Sequence, residues 1–136
     1  MAGKEKLVSL ADLNVVKRCE ESAEMEYMDA GGKGTGVFLS VVGAHAPRVQ
    51  NWINRELNNR RRYDAVQAKR GKLSDVRMIE DDIDFGVEVV SIRITGWRGI
   101  TDPFNAENSL ELCKINPEIC QQVREFSENI ANFTQG

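Results

Sequence analysis

Between Arg48 and Val89 the charge of the chain reverses sign, and the reversal straddles a Gly-Lys pair. Residues 48 to 72 carry Arg48, Arg55, Arg60, Arg61, Arg62, Lys69, Arg70 and Lys72 against Glu56 and Asp64, a net +6. Residues 73 to 89 carry Asp75, Glu80, Asp81, Asp82, Asp84 and Glu88 against Arg77, a net -5. Both halves read as helix. Pro47 suits a first helical turn, Val49, Trp52, Ile53, Glu56 and Leu57 share one face, Tyr63 and Val66 extend it, and Gly71 ends it. As one straight rod the two charge blocks would lie about 30 Å apart, beyond the screening length of salt water. Folded back at Gly71 and Lys72, equal steps from the turn place Arg60, Arg61 and Arg62 near Asp82 to Asp84, and Arg55 near Glu88. Such exposed pairs are worth about 0 to 1 kcal/mol each, so they set orientation and register more than stability. A symmetric antiparallel dimer would use the same pattern between chains, which leaves a homo-oligomer open.

The second helix carries a long apolar stripe: Leu73, Val76, Ile79, Ile83, Val87, Val90, Ile94 and Trp97 recur at steps of three and four. Its last part, "VEVVSIRIT", is rich in β-branched residues and favours strand by local propensity. The continuity of the stripe favours helix through Trp97.

Upstream, Ser9 can cap a short helix with Leu10, Leu13, Val16 and Cys19 at a spacing of three, fading by Ser22. Two strands follow, near 23 to 29 and 35 to 42, joined by the turn Asp29-Ala30-Gly31-Gly32-Lys33-Gly34. The glycines could also cradle phosphate, but "GGKGTG" lacks the P-loop spacing and leads into a strand. Downstream, "GWRGITDPF" is a loop. Asn105 caps one short helix containing Leu110 and Leu112. Asn116-Pro117 opens another with Ile119, Val123, Phe126, Ile130 and Phe133 on one side.

The expected fold is α+β and mostly helical: an N-terminal β-hairpin, a long helical hairpin and two short C-terminal helices. One domain spans 1–136, with 1–6 flexible, a short helix plus hairpin in 7–45, the helical hairpin in 46–97 and the C-terminal helices in 98–136. No apolar run approaches the ~20 residues of a membrane span. Three sparse cysteines without a CxxC fit neither a disulfide framework nor a zinc site, and suggest a reducing, cytoplasmic setting.

Catalysis finds no constellation. No GxSxG, HExxH or Cys–His pairing occurs, and His45, the single histidine, sits in a loop without ligand neighbours. No enzyme, metal site or cofactor is expected. "EDDID" at 80–84 lacks EF-hand spacing and reads as a solvated helix face. A nucleic-acid regulator gripping through 55–72 is disfavoured, because only Tyr63 interleaves with the basic residues and the net charge is -3.

The block "ITGWRGITDPFNAENSLELCKINPEICQQVREFSENIANF" resembles small tail-assembly proteins of long-tailed bacteriophages, the tail assembly chaperones. The matching positions are Gly96-Trp97, Asp102, Pro103-Phe104, Glu107-Asn108, Leu110, Leu112, Pro117 and Asn132-Phe133, and the upstream "GKGTGVFLSVVG" fits the family's strand pair. Ile-Thr-Asp before Pro-Phe is a shorter turn than relatives often have. The resemblance implies no catalytic residue. It implies a protein of the bacterial host cytoplasm, in infection or lysogeny, that binds a tape-measure or tail-tube protein before polymerisation. A structural component of the tail or head–tail junction is the alternative. Partner contacts are expected at Arg60, Arg61 and Arg62 and at Trp97, Phe104 and Phe133, with Phe133 the most available.

Overall fold

In the computed structural model, which describes residues 7–69 and 79–134, a three-stranded antiparallel sheet of order β1-β2-β3 carries helices on its inner face. A 3-10 turn (Ala11–Leu13) and α1 (Val15–Arg18) precede β1 (Ala23–Met28) and β2 (Gly34–Val41). Then come α2 (Pro47–Lys69), α3 (Ile79–Ser91), β3 (Ile94–Arg98), α4 (Ala106–Ile115), α5 (Pro117–Glu128) and α6 (Ala131–Thr134). The fold is α+β and mostly helical, with the N-terminal hairpin in place. No helix among the described residues is long and apolar enough to cross a membrane.

The hairpin turn is held by one side chain. Asp29 Oδ1 accepts from the Gly31 and Lys33 N–H groups, both at 2.9 Å, while the Asp29 N–H donates to Lys33 O. Glu26 Oε2 accepts from the Gly36 N–H at 3.1 Å. These amides are the donors a phosphate would need, and the chain's own carboxylates occupy them.

β1 and β2 pair Met25 with Leu39, and β2 and β3 pair Leu39 with Trp97. That row points inward, because side chains in register share a face. Leu39, Val41, Met25 and Ile94 pack with Val90, Cys113, Ile119, Cys120 and Val123 from the helices. The next row out pairs Glu26, Phe38 and Arg98. There the Arg98 guanidinium lies 3.8 Å over the Phe38 ring and donates to both oxygens of Glu24, at 2.8 and 3.1 Å. A second cluster, Cys19, Val42, Ala46, Val49 and Phe133, sits at the end of the sheet, and Phe126 touches both clusters.

Strand β3 corrects the helical reading of Ile94 to Trp97. The helix ends at Ser91, and the chain reverses into a strand that pairs with β2. Among the described side chains the 3.6-residue stripe holds at Val87, which packs against the core, and at Val90, which is buried. Ile94 also falls on it, but is buried as a strand residue opposite Val41. Period could not separate the two states; the waiting edge of β2 did, and the β-branched run fits it.

Helices meet the sheet through side-chain hydrogen bonds as well as apolar contact. Tyr27 Oη donates to Glu118 Oε2 at 2.8 Å, and Gln122 exchanges two bonds with the Met28 backbone. Buried Ser127 Oγ donates to Val42 O at 2.9 Å, and buried Ser109 Oγ to Ser91 O at 2.8 Å. Each satisfies a backbone carbonyl that would otherwise be stranded in the interior.

Candidate partner-binding surface

Among the described residues α2 and α3 meet at Phe85, and aromatic contacts rather than charge pairs mark the joint. Trp52 stacks on Phe85 with ring centroids 5.9 Å apart, and the Arg60 guanidinium lies 4.5 Å over the same ring. Trp52, Glu56 and Arg60 stand at i, i+4 and i+8, so they form one stripe facing α3. Glu56 Oε1 sits 3.6 Å from Arg60 Nε and neutralises it within the helix. The expected Arg55–Glu88 pair does not form among the described residues. Arg55 falls off the Trp52–Arg60 stripe, beside Arg48, Asn51, Asn54 and Asn58 around a shallow depression. The side chains of Glu80, Asp81, Asp82 and Ile83, and the turn at Gly71, lie outside the described residues.

Beyond Arg60 the character of α2 changes. Arg61, Arg62, Tyr63, Asp64, Ala65 and Val66 are all exposed, Tyr63 at 64%. The expectation that Tyr63 and Val66 extend the buried face is therefore corrected: no described residue packs over this half of the helix. Arg60 belongs to the joint, whereas Arg61 and Arg62 face solvent.

The C-terminal candidates turn out to be mostly structural. Trp97 Nε1 donates to Asp102 O at 2.9 Å, and its ring meets Phe104 edge-to-face at 5.1 Å. Asn105 Oδ1 caps α4 through the Asn108 N–H, and Asn108 Nδ2 donates back to Pro103 O. Gly99 makes this loop feasible. Its φ is +86°, and a Cβ there would strike Gly36 O. Trp97 is half-buried and Phe104 is exposed at its rim, so only Phe104 offers an apolar edge. Phe133, expected to be available, is buried at 8% exposure. It meets Phe126 edge-to-face at 5.8 Å and packs on Cys19, Val42 and Val49. The reason is α6: one further helical turn swings the chain end back onto α1, where Arg18 donates to Thr134 O at 3.2 Å.

The site that sequence reading missed is the N-terminal segment. Ser9 does cap it, reciprocally with Asp12. Asn14 then breaks the helix with φ -79° and ψ 82°, and its side chain caps α1 through the Lys17 N–H. This kink rotates the following turn. Val15 and Cys19 face the core, while Leu10, Leu13 and Val16, which share the helical spacing with Cys19, face outward at 89%, 61% and 47% exposure. Leu7 and Val8 are exposed as well. Cys19 is fixed by a close approach: its carbonyl accepts from the Gly43 N–H at 2.8 Å, and a Cβ on Gly43 would meet the Cys19 side chain at 2.6 Å. The signal available in the sequence was Asn14 itself, a helix-breaking cap residue in the middle of the stripe.

Comparison with protein-family models, with curated proteins and with solved structures finds no match.

Proposed function

We propose that this chain is a non-enzymatic tail assembly chaperone that binds a tape-measure or tail-tube protein in the bacterial cytoplasm. The observation that carries the reading is the exposed apolar run Leu7, Val8, Leu10, Leu13 and Val16 on a segment held to the domain through Val15, Arg18 and Cys19. A leucine at 89% exposure in a capped turn gains nothing for the fold, since hydrophobic side chains stabilise by leaving water. A holding protein needs such a strip to cover an apolar stretch of an unassembled subunit, with charge at its margin to keep the pair soluble. Lys17, Arg18, Glu20 and Glu21 supply that margin.

The resemblance of residues 94–133 to tail-assembly proteins supplies the partner class. Its positions serve the turn, the caps and the core, which is consistent with a shared scaffold whose contact surface lies elsewhere.

Co-purification with the neighbouring tail proteins tests the proposal. L10E/L13E should leave the fold intact and abolish capture of the tape-measure or tail-tube protein. Undiminished capture by that variant overturns the role given to the N-terminal strip. A mass-spectrometric inventory of finished particles separates the alternative: a chaperone is absent from them, whereas a structural tail or head–tail junction component is present. Gel-shift titration at low and moderate salt checks the nucleic-acid reading, which demands strongly salt-dependent binding.

A further inference from the structure

One face of α2 repeats a cation every seven residues. Arg48, Arg55, Arg62 and Lys69 stand at i, i+7, i+14 and i+21, and all four are exposed. Seven residues fall about 20° short of two full turns, so the four drift round only about 60° of the helix. They form one row, about 30 Å long by helical rise. Asn51 and Asn58 repeat at the same interval beside it, around the shallow depression that Arg48 and Arg55 also line. Val66, 44% exposed, lies in the row between Arg62 and Lys69.

The acids of α2 stand elsewhere. Consecutive helical residues are about 100° apart, which puts Glu56 about a quarter-turn from the row and Asp64 close to its opposite side. Glu56 lies against Arg60, outside the row. The joint with α3 of the same chain runs through Trp52 and Arg60 onto Phe85, and no described residue covers the row itself.

The complementary charge is on α3. Asp84 and Glu88 are four apart and share one side of that helix, opposite the buried Val89 and Val90. Asp84 is exposed and Glu88 half-buried. Among the described residues neither lies within ion-pair distance of a cation. The chain thus carries two faces of opposite sign that its own described contacts leave apart.

We propose that the chain forms a two-fold dimer in which the row Arg48, Arg55, Arg62 and Lys69 of one copy lies along the Asp84–Glu88 side of α3 of the second copy, and the reverse. A cation every seven residues along a straight helix is met in register by another helix laid beside it. A two-fold axis makes each such contact twice, so weak pairs count double. Like charge excludes α2 against α2, which leaves α2 against α3 as the orientation the pattern selects. Val66 leaves water in that arrangement. Duplex nucleic acid offers the row an anionic partner as well, but it leaves the α3 acids unmatched and must approach a chain of net charge -3. The dimer is independent of the N-terminal strip, since neither row includes Leu10 or Leu13.

The test is sedimentation equilibrium of the full chain. Exposed pairs are weak singly, so a Kd on the order of 0.1 mM is expected at low salt. The dimer should dissociate as salt rises from about 0.01 M to about 1 M, where the screening length falls from ~30 Å to ~3 Å. R55E/R62E should weaken it about tenfold or more, because each reversal acts at two places. Asp84→Arg should weaken it as well, and both variants change exposed residues, so circular dichroism should be unaltered. The decisive measurement is an equimolar mixture of R55E/R62E with Asp84→Arg: it should dimerise better than either variant alone, because one of the two contacts is then restored with its charges exchanged. L10E/L13E should dimerise like wild type, which separates this proposal from the partner capture assigned to the strip. A wild-type chain that stays monomeric at low salt overturns the proposal. So does a dimer indifferent to R55E/R62E, a mixture no better than its components, or a dimer abolished by L10E/L13E. A monomer that shifts duplex DNA through Arg55 and Arg62 would give the row to phosphate instead.

Discussion

The segment Ser9 to Arg18 and the helix α5 begin alike and end differently. Each opens on a side chain that accepts from the N–H three residues on: Ser9 and Asn14 in the first, Asn116 in the second. Each carries apolar residues at steps of three and four. Yet Ile119, Cys120 and Val123 are buried, whereas Leu10, Leu13 and Val16 are in water. The difference is what lies opposite. α5 lies across the inner row of the sheet, tied to β1 by Tyr27 and Gln122. The N-terminal segment touches the domain at its margin, through Val15 and Cys19, and no described element covers its outer side. Caps decide where a helix starts; an opposing layer decides whether its apolar face is worth anything to stability.

That contrast can be broken by substitutions on both sides. The largest effect is expected for Phe133→Ala, which empties the contact with Phe126 at the end of the core. It should cost about 3 to 5 kcal/mol in denaturant unfolding, and a loss under about 1 kcal/mol would show that the chain end is not part of the core. Next comes Gly99→Ala, which combines a left-handed φ with a Cβ driven into the Gly36 carbonyl. A cost of about 3 kcal/mol is expected, read by the same unfolding measurement.

L10E/L13E and R61E/R62E belong to the other side of the comparison. Both pairs are exposed, so each is expected to change stability by no more than about 0.5 kcal/mol per residue. The first should remove partner capture. The second should leave the Trp52–Phe85 joint intact, because Arg60 and not its neighbours touches it, and tryptophan fluorescence should be unchanged. A large loss of stability in R61E/R62E would restore the charge zipper as a structural device.

The smallest effect concerns the outer face of the sheet. The Arg98 hydrogen bonds hold the Glu24 carboxyl below the usual carboxylate range. Because the folded value is depressed, this contribution is present above the unfolded value of about 4.3 and is lost as pH falls through the folded one. Glu24→Gln should therefore flatten the acid limb of the stability curve slightly and leave neutral pH almost unchanged. Both groups are exposed, so salt should shrink the difference further.

Much of the scaffold was legible because its signals are local. Asn105, Asn116 and Pro117 announce helix starts, and the Asp29 to Gly34 turn announces a hairpin, through hydrogen bonds and torsions settled within a few residues. The charge reversal suggested that α3 returns along α2, but the expected Arg55–Glu88 pair does not form and the turn lies outside the described residues. The contacts that mark the joint, Trp52 and Arg60 on Phe85, were not legible, since an aromatic pair at that distance leaves no periodic trace. Among the residues expected to meet a partner, Arg60 lies on Phe85, Trp97 is half-buried and Phe133 is buried, and the exposure of the N-terminal strip was not read from its helical spacing.

By itself, then, the sequence determined which segments could be helix or strand and where each begins. Only the tertiary structure decided that Ile94 to Arg98 completes a sheet rather than a helix, that Phe133 is covered while Leu10 is not, and that Cys113 and Cys120 share one buried cluster. The physical reason is range. Capping and turn energies are fixed by neighbours within about four residues, whereas burial depends on which distant surface arrives opposite. A stretch such as Val87 to Thr95, balanced between two local states, takes whichever state the arriving surface completes.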